Sequence, residues 1–238
     1  LVRSRGLGDV YKRQVVASAL LALAVVLSTS RSHAAARESQ LWTGLFLTAK
    51  DPRDAASPWS MWLDAQARRG PSGTTALLRP ALGYRFSPGF SLWAGYAWVG
   101  AFADSDETSD VFEHRAWQQA LFAGAEGQLT YQFRPRLEQR FRDDETPALR
   151  ARMLARANVA LWPGAPLAVA SWDEVFVAVG DTSWGAPSGF DQNRLFLGLA
   201  YTQGAVRIEA GYVGTTVRRK DDSLLHQHNP TLWLFFNY

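Results

Sequence analysis

The sequence predicts an all-β protein: a transmembrane antiparallel up-and-down β-barrel of ten to twelve strands, with short periplasmic turns and longer outer loops. Three observations predict this fold. Apolar and polar residues alternate with a period of two along many runs of 11–14 residues, aromatic residues recur near the ends of these runs, and the chain ends on an alternating aromatic segment. An exported soluble β-sandwich is the alternative, because alternation alone also fits it. Run length favours the barrel, since a tilted strand needs about nine to eleven residues to cross a bilayer.

The first fourteen residues do not belong to the predicted fold. Asp9–Gln14 is what GAT GTG TAT AAG AGA CAG encodes, and this string resembles the end of a transposase-based sequencing adapter. Reading upstream in the same frame gives Ser4–Gly8. We therefore interpret residues 1–14 as a translated sequencing-adapter artefact.

The next segment has the pattern of a secretory signal. Val15–Leu27 is an apolar run of thirteen residues, and small residues at Ser32 and Ala34, or at Ala34 and Ala36, fit a signal-peptidase site. We interpret residues 15–36 as a signal peptide truncated at its start; a short membrane anchor is the alternative. Residues 37–238 are then predicted to form a single β-barrel domain, exported to the outer membrane of a Gram-negative bacterium.

The charge of the predicted barrel differs from that of the whole chain. Of the 25 Lys and Arg and 22 Asp and Glu, five bases and one acid fall within residues 1–36, which leaves 20 bases, 21 acids and a net charge of −1. A nucleic-acid partner therefore has no support from overall basicity. The chain has no cysteine, so burial or a lipid environment, and not disulfides, must hold it together. After the signal peptide, no apolar run approaches the roughly eighteen residues that a transmembrane helix needs.

Two neighbouring segments show the alternation best. In Leu129–Arg142 and Leu149–Leu161, one face carries leucine, aromatic and alanine residues, and the other carries most of the arginines. Three Gly-Tyr pairs begin at Gly83, Gly95 and Gly211; each places Tyr on the apolar face and leaves room on the polar one. The apolar face is predicted to meet lipid and the polar face to line the lumen.

The strand count raises a difficulty. Ten strands from Trp59 onward alternate with short and long connections, and Leu41–Thr48 is an eleventh. A bacterial barrel with both termini in the periplasm has an even number of strands. The sequence leaves two options open: a further short strand exists, or Leu41–Thr48 lies outside the barrel.

The C-terminus alternates up to a terminal aromatic residue. This ending resembles the signal by which outer-membrane barrels are recognised for assembly, and it predicts the barrel-assembly machinery and outer-membrane lipid as partners. The oligomeric state is left open. The residues assigned to the assembly signal are Leu232, Leu234, Phe236 and Tyr238.

Four motifs spread along the chain carry a family resemblance. They are Glu113-His114-Arg115-x-Trp117-Gln118-Gln119, Arg136-x-Glu138-Gln139-Arg140-Phe141, Ser171-x-Asp173-Glu174-x-Phe176 and Gly189-Phe190-Asp191-Gln192-Asn193-Arg194. With these motifs, the region from about Leu41 to Tyr238 resembles the bacterial family called domain of unknown function 2490. The resemblance implies an outer-membrane β-barrel without an established activity, and it supplies no catalytic residues.

The polar face is predicted to form an arginine-rich lumen. A barrel of this size is narrow, and its charged groups must be paired or hydrated because unpaired buried charge is costly. Two readings stay open: a salt-bridged structural lumen, or a narrow, porin-like solute passage that favours anions. No cofactor is expected. The candidate lumen residues are Glu113, Arg115, Arg136, Glu138, Arg140, Arg150, Arg152, Arg156, Gln192 and Arg194.

An outer-membrane lipid-modifying hydrolase with a His-containing site is the alternative from another class. Known barrels of this type carry His-x-Ser patterns, which none of His114, His226 and His228 matches. A non-enzymatic protein is therefore the prediction, and no catalytic residue is assigned. No metal site is assigned either, because His226 and His228 would need a third converging ligand.

Two local features depart from the pattern. Asp173 and Glu174 are adjacent, so they point to opposite faces unless a β-bulge re-aims one of them, and we expect a bulge or a strand end there.

The loop Asp181–Ser188 is expected to fold inward as a constriction or to present a receptor surface.

Overall fold

The structure is a computed structural model that describes residues 36–50, 54, 56–105, 109–185 and 187–238. The adapter assignment and all but the last residue of the predicted signal peptide lie outside these residues. No helix in the described part of the chain is long and apolar enough to span a membrane.

Twelve β-strands form one sheet in which each strand pairs with the next along the chain from β2 onward. The strands are β1 (Ala36–Ser39), β2 (Leu41–Lys50), β3 (Trp59–Gly70), β4 (Gly73–Ser87), β5 (Phe90–Ala103), β6 (Val111–Glu126), β7 (Leu129–Phe141), β8 (Ala148–Ala160), β9 (Leu167–Val179), β10 (Gly189–Gln203), β11 (Val206–Arg218) and β12 (Leu224–Asn237). The predicted all-β barrel is confirmed.

The barrel closes through a parallel pair of strands. β12 pairs with β2 in parallel, with Thr231 opposite Trp42 and Asn237 opposite Thr48, and with β1 in parallel just before it. Backbone bonds from Tyr238 N to Thr48 O (2.8 Å) and from Lys50 N to Tyr238 O (3.0 Å) complete this seam. All other neighbours are antiparallel.

Eleven strands therefore surround the lumen, because β1 and β2 follow one another along the same edge of β12. This number lies within the predicted range, but the expectation of an even number is wrong. Of the two options that the sequence leaves open, the further short strand exists as β1, and Leu41–Thr48 lies within the barrel as part of β2. The expectation of an even number assumed that the two termini share one end. Since β2 and β12 run in the same direction, Ala36 and Tyr238 lie at opposite ends of the barrel.

The two ends differ in their connections, as the sequence predicts. The long connections 104–110, 142–147, 180–188 and 219–223 share one end, called here the loop end. The opposite end, the turn end, carries the short turns at 88–89, 127–128 and 204–205, the connection 161–166 and the C-terminus. Two connections depart from this pattern of long connections at one end and short ones at the other. The connection 51–58 is long at the turn end, and 71–72 is short at the loop end.

Burial follows the alternation. Outward-facing apolar residues are widely exposed, as at Met61 (64%), Leu82 (56%) and Leu197 (61%), whereas residues of the other parity are largely buried inside. The glycines of the three Gly-Tyr pairs face inward, where a Cβ would meet the ring of Trp93, Trp117 or Phe196 within 2.5–2.6 Å. The expectation that they leave room is confirmed; aromatic rings fill the space.

Candidate functional site: the barrel lumen

Glu138 lies at the centre of an ion-pair network in the loop-end half of the lumen. Its carboxylate accepts hydrogen bonds from Arg150 (2.7 Å) and Arg152 (2.5 Å), and Arg136 lies at 3.5 Å. The Glu138 side chain is only 1% exposed. Alternation explains this placement, because Arg136, Glu138 and Arg140 share the inward parity of β7.

Glu113 forms the second centre of the network, nearer the loop end. It accepts from Arg115 Nε (2.7 Å) and from Arg140 Nε (2.5 Å), and Arg142 lies at 3.5 Å. A buried carboxylate is stabilised only by close, hydrogen-bonded partners of opposite charge, and Glu113 has several. The glutamate therefore ties β6 to β7.

A third part of the network reaches β9 and β10. Arg152 donates to Glu174 (2.7 Å), and Arg150 donates to Asp191 (3.0 Å). Arg136 donates two bonds to Gln119 at 2.9 and 2.7 Å. These contacts join five consecutive strands, and together with buried Trp117 and Phe176 they fill this section of the lumen.

The expected irregularity at Asp173–Glu174 lies elsewhere. Both residues stand in regular register, opposite Leu195 and Arg194, so the prediction of a bulge or strand end at this pair is wrong. Glu174 points into the lumen, and Asp173 points outward, where its Oδ1 accepts from Asn193 Nδ2 (2.7 Å). The register shift lies in β10 between Phe190 and Gln192, and both Asp191 and Gln192 are buried.

The loop between β9 and β10 covers part of the network at the loop end. Arg140 and Arg142 lie 4.6 and 4.2 Å from the ring centroid of Trp184, within cation–π distance. Trp184 Nε1 donates to the carbonyl oxygen of Thr146 (2.9 Å). Of the two expectations for this loop, inward folding matches these contacts.

Aromatic residues occupy the lumen beside the charges. Trp172 stacks on Phe196 and on Trp233, with ring centroids 5.6 Å apart in each case, and Trp42 belongs to the same cluster. A second cluster joins Trp62, Trp93 and Trp117. The sequence expectation was an aromatic girdle near strand ends. In the structure six of the ten tryptophans share the inward parity: Trp42, Trp62, Trp93, Trp117, Trp172 and Trp233.

A cavity of about 470 Å³ opens between these groups on the turn-end side of the network. Its walls include Thr48, Thr130 and Asn237, which are near the turn-end limits of β2, β7 and β12. The aromatic wall comes from β2, β3, β5, β9 and β12. The arginines that line it are Arg68, Arg79, Arg134, Arg152, Arg156, Arg194 and Arg207; the carboxylates are Asp64, Glu174 and Glu209.

All ten predicted lumen residues lie on inward-facing positions, but in two groups. Glu113, Arg115, Arg136, Glu138, Arg140 and Arg150 lie in the network, while Arg156 and Arg194 line the cavity. Arg152 belongs to both. Gln192, with its amide oxygen turned toward Arg194, accepts from that guanidinium (2.7 Å).

Several residues at the cavity were not among the predicted set. Arg79 binds Asp64, and both Arg156 and Arg207 bind Glu209. Asp64 on β3, Arg79 on β4, and Arg207 and Glu209 on β11 occupy inward-facing positions, as the predicted residues do on their own strands. Parity was therefore the signal that could have found them, because charged residues on β3, β4 and β11, and not on β6–β10 alone, face inward.

The described histidines lie on the outer face near the loop end. Tyr96 OH lies 2.5 Å from His114 Nδ1, and Thr216 Oγ1 lies 3.0 Å from His226 Nδ1. His228 is bonded to the hydroxyl of Tyr212. Among the described residues, no serine is bonded to these three histidines, and there is no group of three or more His, Cys, Asp and Glu that could hold a metal.

The predicted assembly residues Leu232, Leu234, Phe236 and Tyr238 share the outward parity of β12 and its end. Leu234 and Phe236 stand opposite Leu45 and Leu47 at the seam. Their role in assembly stays a prediction.

Comparison with known proteins gives a family without an assigned activity. Residues 39–226 match the family described as protein of unknown function (DUF2490). An uncharacterised protein of Methylorubrum extorquens is 30% identical over 233 residues, covering 92% of this chain and 96% of that protein. No solved structure matches the chain. The chain therefore belongs to the DUF2490 family.

Proposed function

We propose that the protein is a non-enzymatic outer-membrane β-barrel, with a lumen that is sealed toward the loop end and open only toward the turn end. The observation that carries the proposal is the division of the barrel into an apolar outer wall and a charged, buried interior. In water, so large an exposed apolar surface is unfavourable; in a bilayer it is the surface that lipid requires.

The outer aromatic residues support a membrane location. At the turn end, ring contacts run from Trp59 through Tyr84, Phe86, Phe90 and Phe122 to Phe133, with centroids 4.8–6.3 Å apart. A smaller group, Trp98, Phe102 and Phe112, lies toward the loop end. Two such belts on either side of an apolar band are typical of membrane barrels.

The ion-pair network favours a structural barrel over a permanently open passage. Glu138, Trp117 and Phe176 are at most 1% exposed, so side chains fill the lumen at their level. An ion crossing this section would have to separate arginines from carboxylates that are already paired, which costs several kcal/mol per buried charge.

Planar-bilayer recording of the refolded chain tests the proposal. We expect stable insertion, shown by co-flotation with lipid vesicles, and no steady current. An anion-biased current that weakens in Arg152→Ala would instead support the narrow passage. A monomer that stays in solution without detergent would contradict the membrane location itself. Turnover of phospholipid, lost in His114→Ala, would support the hydrolase.

A further inference from the structure

The charges around the lumen cavity do not cancel. Seven arginines and three carboxylates line it, an excess of four positive charges. Each carboxylate is already bonded: Asp64 by Arg79, Glu174 by Arg152, and Glu209 by Arg156 and Arg207. Arg68, Arg134 and Arg194 form no ion pair within 4.0 Å with any residue in the described ranges.

Two of these unpaired arginines converge on one ring. The guanidinium of Arg68 lies 4.1 Å from the ring centroid of Trp42, and that of Arg194 lies 5.1 Å from it. Amide oxygens of Gln66 (2.9 Å) and Gln192 are their hydrogen-bond acceptors, and the Nε of Arg68 is buried without a partner among the described residues. Guanidiniums held together in a largely enclosed space repel one another, so an anion between them would be strongly stabilised.

The same cavity offers an apolar surface beside these cations. Phe46 stacks on Phe235, with centroids 4.5 Å apart, and lies edge-on to Trp233 at 6.4 Å. All three line the cavity with Trp172. A volume of about 470 Å³, walls of aromatic rings and a few polar groups are features of small-molecule sites.

We propose that this cavity binds a small organic anion with an apolar body. Its carboxylate, sulfonate or phosphate group lies between Arg68 and Arg194, and its body packs against Phe46, Trp233 and Phe235. The ligand reaches the cavity from the turn end, because the ion-pair network fills the lumen on the other side. This inference rests on the proposed function in one respect, the closure of the lumen toward the loop end. It adds to that function the chemical class of the ligand that the lumen binds.

Isothermal titration calorimetry of the purified chain in a non-ionic detergent tests the proposal, with naphthalene-2-sulfonate as the probe. Two comparison compounds separate charge from apolar contact: naphthalene-2-sulfonamide has the same body without the charge, and methanesulfonate has the charge without the body. We expect saturable binding of the probe at one site, about tenfold or more tighter than either comparison compound. Equal heats for probe and sulfonamide indicate micelle partitioning and overturn the proposal.

A matched pair of variants locates the site. Arg68→Gln and Arg194→Gln should each weaken probe binding about tenfold, whereas Arg69→Gln, which removes an outward arginine bonded to Asp104, should leave it unchanged. Because Arg68 and Arg194 have no carboxylate partner in the described ranges, their substitution leaves no buried acid unpaired, and both variants should fold. Unchanged affinity in both lumen variants overturns the proposal. The titration needs no bilayer, so its failure is distinct from failure of the membrane assays.

Discussion

At the scale of single residues, neighbours in sequence have opposite environments. Asp173 and Glu174 show this best, because one carboxylate lies on the outer face beside Asn193 and the other accepts from Arg152 inside. Asp173 is the single Asp, Glu, Lys or Arg that a described strand directs outward away from its ends. The hydrogen bond from Asn193 on β10 lowers the free-energy cost of placing this carboxylate on the outer face.

This pair gives a direct prediction. Glu174→Gln should lower the free energy of unfolding by about 2 kcal/mol, because Arg152 loses one of its two buried carboxylate partners and keeps only Glu138. Asp173→Asn removes the same charge from the outer face, which meets lipid in the proposed membrane orientation, and should leave the free energy of unfolding unchanged or raise it. Urea unfolding in lipid vesicles measures both. Equal effects would contradict the assignment of the two faces.

At the scale of strands, inward glycines decide how closely aromatic rings approach the wall. Gly198 and Gly211 stand opposite each other on β10 and β11, and the ring of Phe196 covers both. A Cβ at Gly211 would lie 2.5 Å from the carbonyl oxygen of Leu197 and 2.7 Å from the Cα of Gly198. These backbone atoms cannot move without distorting the sheet.

Gly211→Ala should therefore destabilise the barrel by about 1–3 kcal/mol, as overpacking of a tight interior does. Gly214→Ala on the same strand is the control, because its nearest neighbour atom would be 3.5 Å away, an ordinary contact. Thermal unfolding followed by loss of the β-sheet circular dichroism signal compares the two. A tolerated Gly211→Ala would show that Phe196 does not pack against the glycine pair.

At the scale of the whole molecule, the parallel seam between β2 and β12 makes an odd barrel possible. Leu45 and Leu234 are register partners across this seam, and both face outward. Closure in this way places Ala36 and Tyr238 at opposite ends, so in the proposed membrane orientation they face opposite sides of the bilayer. The seam is shorter than the antiparallel pairs, with seven register partners between β2 and β12.

The seam can be tested by cross-linking, which is simple in a chain without cysteine. Leu45→Cys combined with Leu234→Cys should form a disulfide on mild oxidation, because directly paired residues meet the distance that the bond requires. Leu45→Cys combined with Leu224→Cys should not, since Leu224 pairs with Arg218 at the other end of β12. Mass spectrometry of peptic fragments identifies the product. Failure of the first pair would place β2 away from β12.

The sequence by itself determined the all-β fold, the inward or outward parity of the strands and the presence of an arginine-rich interior. These depend on a period of two that is local and readable from neighbouring residues. It did not determine the parallel closure or the bulge in β10. Only the tertiary structure decided which arginines meet carboxylates and which, like Arg68 and Arg194, do not. That outcome depends on register and curvature, which bring together residues from strands far apart along the chain.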